Sequence, residues 1–293
     1  MSPTSPVSDT RALRPAFDLL ARRLKTAAAG RRIALMQNHG NLGDALIHYG
    51  TLRFLEDYGF SARTFDMGRR ADKLACLALG AVQPLAGRWL FVYGGSGAWS
   101  DRTILGHDNV HRQLRVTRAL FVMPSTFQRF GLPDGIPAFA RDRAESLKVA
   151  PQAEFCHDMA FYLALLEPAR VLPGRTPPDR RLGLFFRTDN EQAEPRLAAL
   201  PGNDDVSADG LHSDDVHAFL RRIDRCAAIA TDRLHVAIAG LILGKRVRLV
   251  ENNYFKIRAV HEASIAGIFP GIELLTPEAA LALLPDLIEE AGS

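Results

Sequence analysis

An alternation of two kinds of segment constrains this chain most. Short apolar runs, each too brief for a helix, recur between stretches of helical length. Residues 33–37, 62–65, 89–93 and 119–123 read as strands, with a helix predicted over 44–58 and others between the later strands; a last unit of this half spans 154–166. Strands spaced by helices pair in parallel, because the crossover that a parallel pair needs is the helix itself. Residues 167–181 carry four prolines and one glycine among arginines and read as a linker. A second series follows, with strands over 182–186, 227–230 and 247–250. Its helices are predicted over 213–222 (capped by Ser213), 234–243 (ended by Gly244) and 276–291. The predicted fold class is therefore α/β, two Rossmann-like lobes with a cleft between them. The predicted division is an N-terminal amphipathic helix in 1–30, one lobe over 31–170 and a second over 171–293.

The leading helix, over 9–29, has Leu13, Phe17, Leu20 and Leu24 at three- and four-residue spacing, with Ser8 or Asp9 available as cap. Arg11, Arg14, Arg22, Arg23 and Lys25 occupy its other face. That pattern fits a packing helix with a solvated basic side, and is also compatible with peripheral work beside an anionic membrane. The rest of the composition excludes classes. No apolar stretch approaches a membrane span, 236–243 being among the longest. Residues 1–10 lack the apolar core of a signal peptide. Three dispersed cysteines, Cys76, Cys156 and Cys226, suggest neither a disulfide framework nor a zinc motif. The net charge of +3 does not demand nucleic acid. These readings place the protein in the cytoplasm. Its oligomeric state is not legible.

Four segments place glycine or polar residues where a predicted strand gives way to a helix, the position at which α/β folds bind ligands. In Asn38-His39-Gly40-Asn41-Leu42-Gly43-Asp44, two glycines allow a tight turn that could present N–H groups to an anion, and Asp44 opens the helix as either functional group or cap. Tyr93-Gly94-Gly95-Ser96-Gly97 follows a strand, but Ser100 stands where a dinucleotide fingerprint needs its third glycine, so NAD and FAD are rejected. Arg141-Asp142 precedes a short helix, where an ordinary surface pair would also serve. Thr231-Asp232-Arg233-Leu234-His235 puts arginine and histidine at a helix mouth, suited to an anionic substrate and to proton transfer. His107 and His111 mimic the spacing of a zinc-binding helix, but aspartate holds the general-base position and a third ligand is lacking; no metal is expected.

Taken in order, these segments resemble the polysaccharide pyruvyl transferase family. The matching blocks are residues 40–47, Tyr93-Gly94-Gly95, Ala140-Arg141-Asp142 with Ser146, and His157-Asp158-Met159-Ala160-Phe161. They continue with Phe186-Arg187, residues 231–235 with Ala237-Ile238, and Glu251-Asn252-Asn253-Tyr254 with Lys256. Ser96 and Gly97 depart from the family's glycine loop. The resemblance implies lobes like those of GT-B glycosyltransferases, and transfer of the pyruvyl group of phosphoenolpyruvate to two sugar hydroxyls as a cyclic ketal, in exopolysaccharide or cell-surface glycan biosynthesis. It places donor contacts on Asp44, Arg141, Leu234 and His235, with His235, Asp44 and Arg141 as the catalytic set. It adds Asn41, Gly43, Gly94, Gly95, Arg187, Arg233, Asn253 and Lys256 as substrate-binding residues. The implied partners are phosphoenolpyruvate, as donor substrate with no further cofactor, and a lipid- or nucleotide-linked sugar at the inner face of a membrane. Alternatives in other classes are a glycosyltransferase using a nucleotide sugar and a non-catalytic glycan-binding member.

Overall fold

The computed structural model describes residues 8–83, 87–97, 99–100 and 103–291. It is α/β with two parallel sheets, as the alternation predicts. Contacts divide the chain into two compact units. The N-terminal unit comprises Leu13–His39 and Ile47–Tyr162. The C-terminal unit comprises the described residues up to Ala12, Gly40–Leu46, and the chain from Leu163 on. This differs from a break at residue 170. Thus the first turn of helix Leu42–Asp57 clusters with the C-terminal unit, and helix Arg14–Ala28 with the N-terminal one.

In the N-terminal unit the strands are β1 (Arg32–Gln37), β2 (Ala62–Asp66), β3 (Trp89–Tyr93), β4 (Leu120–Ser125), β5 (Ala138–Ala140) and β6 (Glu154–Phe155). They form one parallel sheet in the order β2-β1-β3-β4-β5-β6. The order reverses between β1 and β3, the kind of switch point at which doubly wound sheets bind ligands. Pro124 lies within β4, and the register with β5 shifts between Val122 and Ser125; proline has no N–H to give to a ladder. The central strands are buried along most of their length, Ile33, Phe91, Val92 and Val122 among them, so they read as apolar runs.

Helix Arg14–Ala28 is preceded by a 3₁₀ turn, Thr10–Leu13, and carries Pro15 in its first turn; no side chain caps it. Neither Ser8 nor Asp9 serves as cap, the backbone N–H of Asp9 instead donating to Ile268 O at 3.1 Å. Its buried stripe of Phe17, Leu20 and Leu24 packs on the sheet unit, with Phe17 edge-on to Tyr162 at 5.2 Å. Arg11, Arg14, Arg22, Arg23 and Lys25 are exposed. Because the apolar stripe is used in the core, this helix has none left to insert into a bilayer; surface electrostatics alone remain. Among the described residues no helix is long and apolar enough to cross a membrane.

The C-terminal unit holds β7 (Arg180–Phe185), β8 (Cys226–Thr231), β9 (Arg246–Val250) and β10 (Ile272–Leu275), parallel and in simple succession. One face buries Leu182, Leu184, Ala230, Val250 and Leu275 against Leu197, Ala280 and Leu287. The predicted helix over 213–222 is shifted to Val216–Asp224, because Asp215 rather than Ser213 accepts the orphan N–H of His217 at 2.9 Å. Helix Leu234–Ile242 ends before Gly244, whose φ of 74° is the left-handed conformation glycine favours. The predicted terminal helix is two, Pro277–Ala282, capped by Thr276, and Leu284–Ala291. Part of the predicted linker is folded: Pro168–Val171 forms a short helix with Val171 and Leu172 buried.

Candidate active site

In the C-terminal unit the carboxyl edge of the sheet gathers most of the residues singled out above. Thr231 closes β8 and fixes the turn: its hydroxyl donates to Phe185 O at 2.7 Å and accepts from Arg233 N at 3.0 Å. The next residue, Asp232, is 3% exposed and accepts the Arg187 N–H at 2.8 Å, tying the end of β7 to that of β8. Burial pushes the Asp232 carboxyl up to about 6, against the Arg187 N–H and the charges of Arg187 and Arg233. Arg233 then precedes helix Leu234–Ile242, so Leu234 and His235 sit in its first turn; Leu234 is buried and His235 half-buried.

The basic residues of this edge are not open cations. Arg233 donates from Nη2 to Asp205 Oδ2 at 2.7 Å and to Asp189 Oδ2 at 3.0 Å, and its Nε is also bonded to Asp205. Arg187 holds Asp189 at 2.8 and 3.1 Å and Glu191 at 2.6 Å. Lys256 Nζ donates to the same Glu191 oxygen at 3.1 Å. The result is an alternating chain: Lys256, Glu191, Arg187, Asp189, Arg233, Asp205. Although burial works against ionisation, the bonds from Arg187 and the Glu191 N–H hold Asp189 down at about 2. Glu191 is held low by Lys256 and Arg187, and Asp205 by Arg233, again against burial. Asn253 donates to Asn190 O at 3.3 Å, so the loops after β7 and β9 are joined.

The turn of residues 40–45 lies in this same unit, and its N–H groups are all taken. Gly40 N donates to His212 Nδ1 at 3.4 Å, Asn41 N to Asp44 Oδ2 at 3.1 Å, and Leu42 N to Ser207 O at 3.2 Å. Gly43 N donates to Asn41 Oδ1 at 2.8 Å, and the N–H groups of Asp44 and Ala45 to Asn41 O at 3.0 and 3.2 Å. The reciprocal use of Asn41 and Asp44 side chains is a capping box. The expected anion nest is therefore filled by the protein's own acceptors, and Asp44 does act as a cap. What the turn offers instead is proximity: a Cβ on Gly43 would lie 2.9 Å from His235 Nδ1 and 3.2 Å from His235 Cβ. Gly43, and with it the turn that Asn41 and Asp44 hold, is thus brought to His235, a meeting no local pattern reveals.

The N-terminal unit holds Arg141, Gly94 and Gly95. Arg141 is 1% exposed, donating from Nη1 to Asp158 Oδ2 at 2.5 Å and from Nε to Thr126 Oγ1 at 2.7 Å. Asp142 is equally buried and accepts the N–H groups of Glu145 and Ser146 at 3.0 and 2.9 Å, while Ser146 Oγ bonds its other oxygen. The surface-pair reading of Arg141-Asp142 does not hold. At the switch point, Gly94 N donates to Met36 O at 3.0 Å, and Tyr93 Oη donates to Asn38 Oδ1 at 3.2 Å. Gly95 has φ 81°, and a Cβ there would lie 2.6 Å from Pro124 O, so only glycine fits. The rings of His107 and His111, on one helix, lie 4.1 Å apart at a tilt of 37°.

Fold and site together define a two-unit parallel α/β protein with an acid–base and charge cluster at a sheet's carboxyl edge. Residues 138–254 match the family model described as polysaccharide pyruvyl transferase, a stretch running from β5 to Tyr254 that includes Arg141, Arg187 and residues 231–235. No curated protein matches the sequence. The chain is similar in structure to a functionally uncharacterized protein of Klebsiella pneumoniae subsp. pneumoniae NTUH-K2044, at 24% identity and a TM-score of 0.68, over 90% of this chain and 98% of that one. That likeness shows the fold. A putative LacI-family transcriptional regulator of Rhizobium etli aligns at 12% identity over 84% of this chain and 96% of that one, with a TM-score of 0.29 too low to carry an argument.

Proposed function

We propose that the protein moves the pyruvyl group of phosphoenolpyruvate onto two hydroxyls of a sugar in a polysaccharide precursor, forming a cyclic ketal. The observation that carries this reading is the family match over residues 138–254, which contains the turn presenting Arg233 and His235. The reaction moves two protons. One of the two hydroxyl protons goes to the methylene carbon, making it a methyl group; the other leaves with the phosphate, as both oxygens bond to the former C2. His235 carries the proton to or from the reacting atoms. Asp232, whose carboxyl titrates at about 6, stands two residues before Leu234 as a second proton site. Asp44 holds the turn on which His235 rests. Leu234, Asn41, Gly43, Arg187, Arg233, Asn253 and Lys256 bind substrate; the resemblance adds Arg141, Gly94 and Gly95 of the N-terminal unit as further contacts, Arg141 being paired there with Asp158.

For Arg187, Arg233 and Lys256 to take an anion, its phosphate and carboxylate must displace Asp189 and Glu191, so donor binding is an exchange of anions within a balanced network. No cofactor beyond the donor enters this scheme. The acceptor is a lipid- or nucleotide-linked sugar at the cytoplasmic face of a membrane, whose anionic headgroups suit the exposed basic face of helix Arg14–Ala28. Phosphate release from phosphoenolpyruvate in the presence of sugar acceptors, set against nucleoside diphosphate release from sugar nucleotides, separates this activity from glycosyl transfer. His235→Ala is expected to lower phosphate release by about 10²–10⁴-fold. Wild-type turnover in that variant would overturn the role of His235.

A further inference from the structure

Asn252, just past the end of β9, is 7% exposed, and neither its amide nitrogen nor its amide oxygen has a hydrogen-bond partner. A buried amide left unmatched at both ends is costly, and folded proteins rarely keep one without a use for it. Asn203 of the same unit shows the ordinary outcome: it accepts from Phe186 N at 2.7 Å and donates to Phe186 O and Ala198 O at 3.0 and 3.2 Å. Asn252 is tethered on both sides, tightly through Glu251 and by a longer bond through Asn253. Glu251 N donates to Leu275 O at 2.9 Å, its carboxylate holds Arg258, and Asn253 reaches Asn190.

We infer that Asn252 is a substrate-binding residue that takes a pair of sugar hydroxyls, so that it recognises the acceptor and not the anionic donor. The chemistry decides between them. A phosphate or carboxylate offers only acceptors and would leave the amide oxygen unmatched, whereas two neighbouring hydroxyls supply one donor and one acceptor. A hydroxyl pair is also what a cyclic ketal consumes, and to that extent the assignment rests on the proposed reaction. Access requires the loop of residues 251–256 to yield. It is bonded to the loop after β7 by Asn253 to Asn190 O at 3.3 Å, Tyr254 to Glu191 at 3.5 Å and Lys256 to Glu191 at 3.1 Å, and the acceptor must displace these bonds to reach Asn252.

The test uses the full chain with methyl α- and β-glycosides of glucose, galactose and mannose, their binding followed by saturation-transfer NMR and titration. At least one glycoside should bind the wild type, and Asn252→Ala and Asn252→Leu should weaken it by about tenfold or more, the loss of two hydrogen bonds. The melting temperature should hold or rise, because the variants remove an unmatched polar group; a purely structural asparagine would show the opposite pattern. Equal affinity in wild type and variants, no glycoside bound by the wild type, or a lowered melting temperature with affinity intact each overturns the assignment. Glycoside binding lost in the variants without phosphate release from phosphoenolpyruvate in the wild type would keep Asn252 as a sugar ligand and reject the donor.

Discussion

At the scale of the residue, Gly43 matters for what it lacks. Its backbone is helical, so alanine there is no conformational burden and even gains helix propensity, up to about 1 kcal/mol. The added methyl would nonetheless stand 2.9 Å from His235 Nδ1 and 3.0 Å from Asn41 Oδ1, so the imidazole must move. Gly43→Ala should therefore keep its melting temperature near that of the wild type while phosphate release falls by about 10²-fold, the cost of misplacing a reacting group by about an ångström. Unchanged turnover would dissociate the turn from the chemistry. By local pattern Gly43 reads as a turn former, and the family resemblance adds it as a substrate contact without saying what it meets. Its partner lies far along the chain, and no spacing rule reaches that distance. Asp232 likewise stands in a turn that the sequence singles out, but its raised titration, at about 6, comes from burial, which the sequence does not state.

Elements show the same division between what is local and what is not. The strands were legible because buried parallel strands are continuous apolar runs between turn residues, as in Trp89–Tyr93. β10 was missed: Ile272–Leu275 is short, sits at a sheet edge and carries Glu273. The end of β5 shows what depends on packing. Arg141 and Asp158 are each 1% exposed and come from different connections of the N-terminal unit. Removing one partner strands a buried charge, so Asp158→Ala should destabilise the protein by about 3–5 kcal/mol in urea denaturation. Asp158 also accepts from Ala160 N at 2.9 Å, which adds to the loss. A cost below about 1 kcal/mol would mean that Arg141 finds water or another acceptor, contrary to its burial.

For the whole molecule, the pH dependence of stability sets two buried groups against each other. Asp232 has a folded-state value of about 6 against 3.8 unfolded, so between those values the folded state holds the extra proton and stability falls as pH rises. The effect is complete above pH 6 and amounts to about 2–3 kcal/mol. His157, packed against Phe155 at 5.0 Å, is lowered to about 4 by burial and by the charge of Arg143. Between 4 and 6.5 it binds its proton only when unfolded, so stability is lost as pH falls; His111 and His261 are shifted in the same direction. Asp232→Asn should therefore be more stable than the wild type at pH 8, and its stability should rise more steeply from pH 4 to 6.5. Parallel curves for the two proteins, measured by denaturant titration across that range, would show that Asp232 ionises normally.

The sequence by itself determined the α/β class, the two parallel series, the helix ends at Gly244 and Thr276, and the list of residues near strand ends, because each follows from periodicity, φ preference or a side chain acting on its own turn. It also carried the resemblance that the match over residues 138–254 supports. Only the tertiary structure decided which of these residues meet. It joined the turn of residues 40–45 to His235, closed the presumed anion nest with His212, Ser207 and Asp44, and neutralised Arg187, Arg233 and Lys256 with Asp189, Glu191 and Asp205. It also left Asn252 buried and unmatched. Those outcomes depend on distance and desolvation between residues remote in the chain, and neither quantity is encoded in any local pattern.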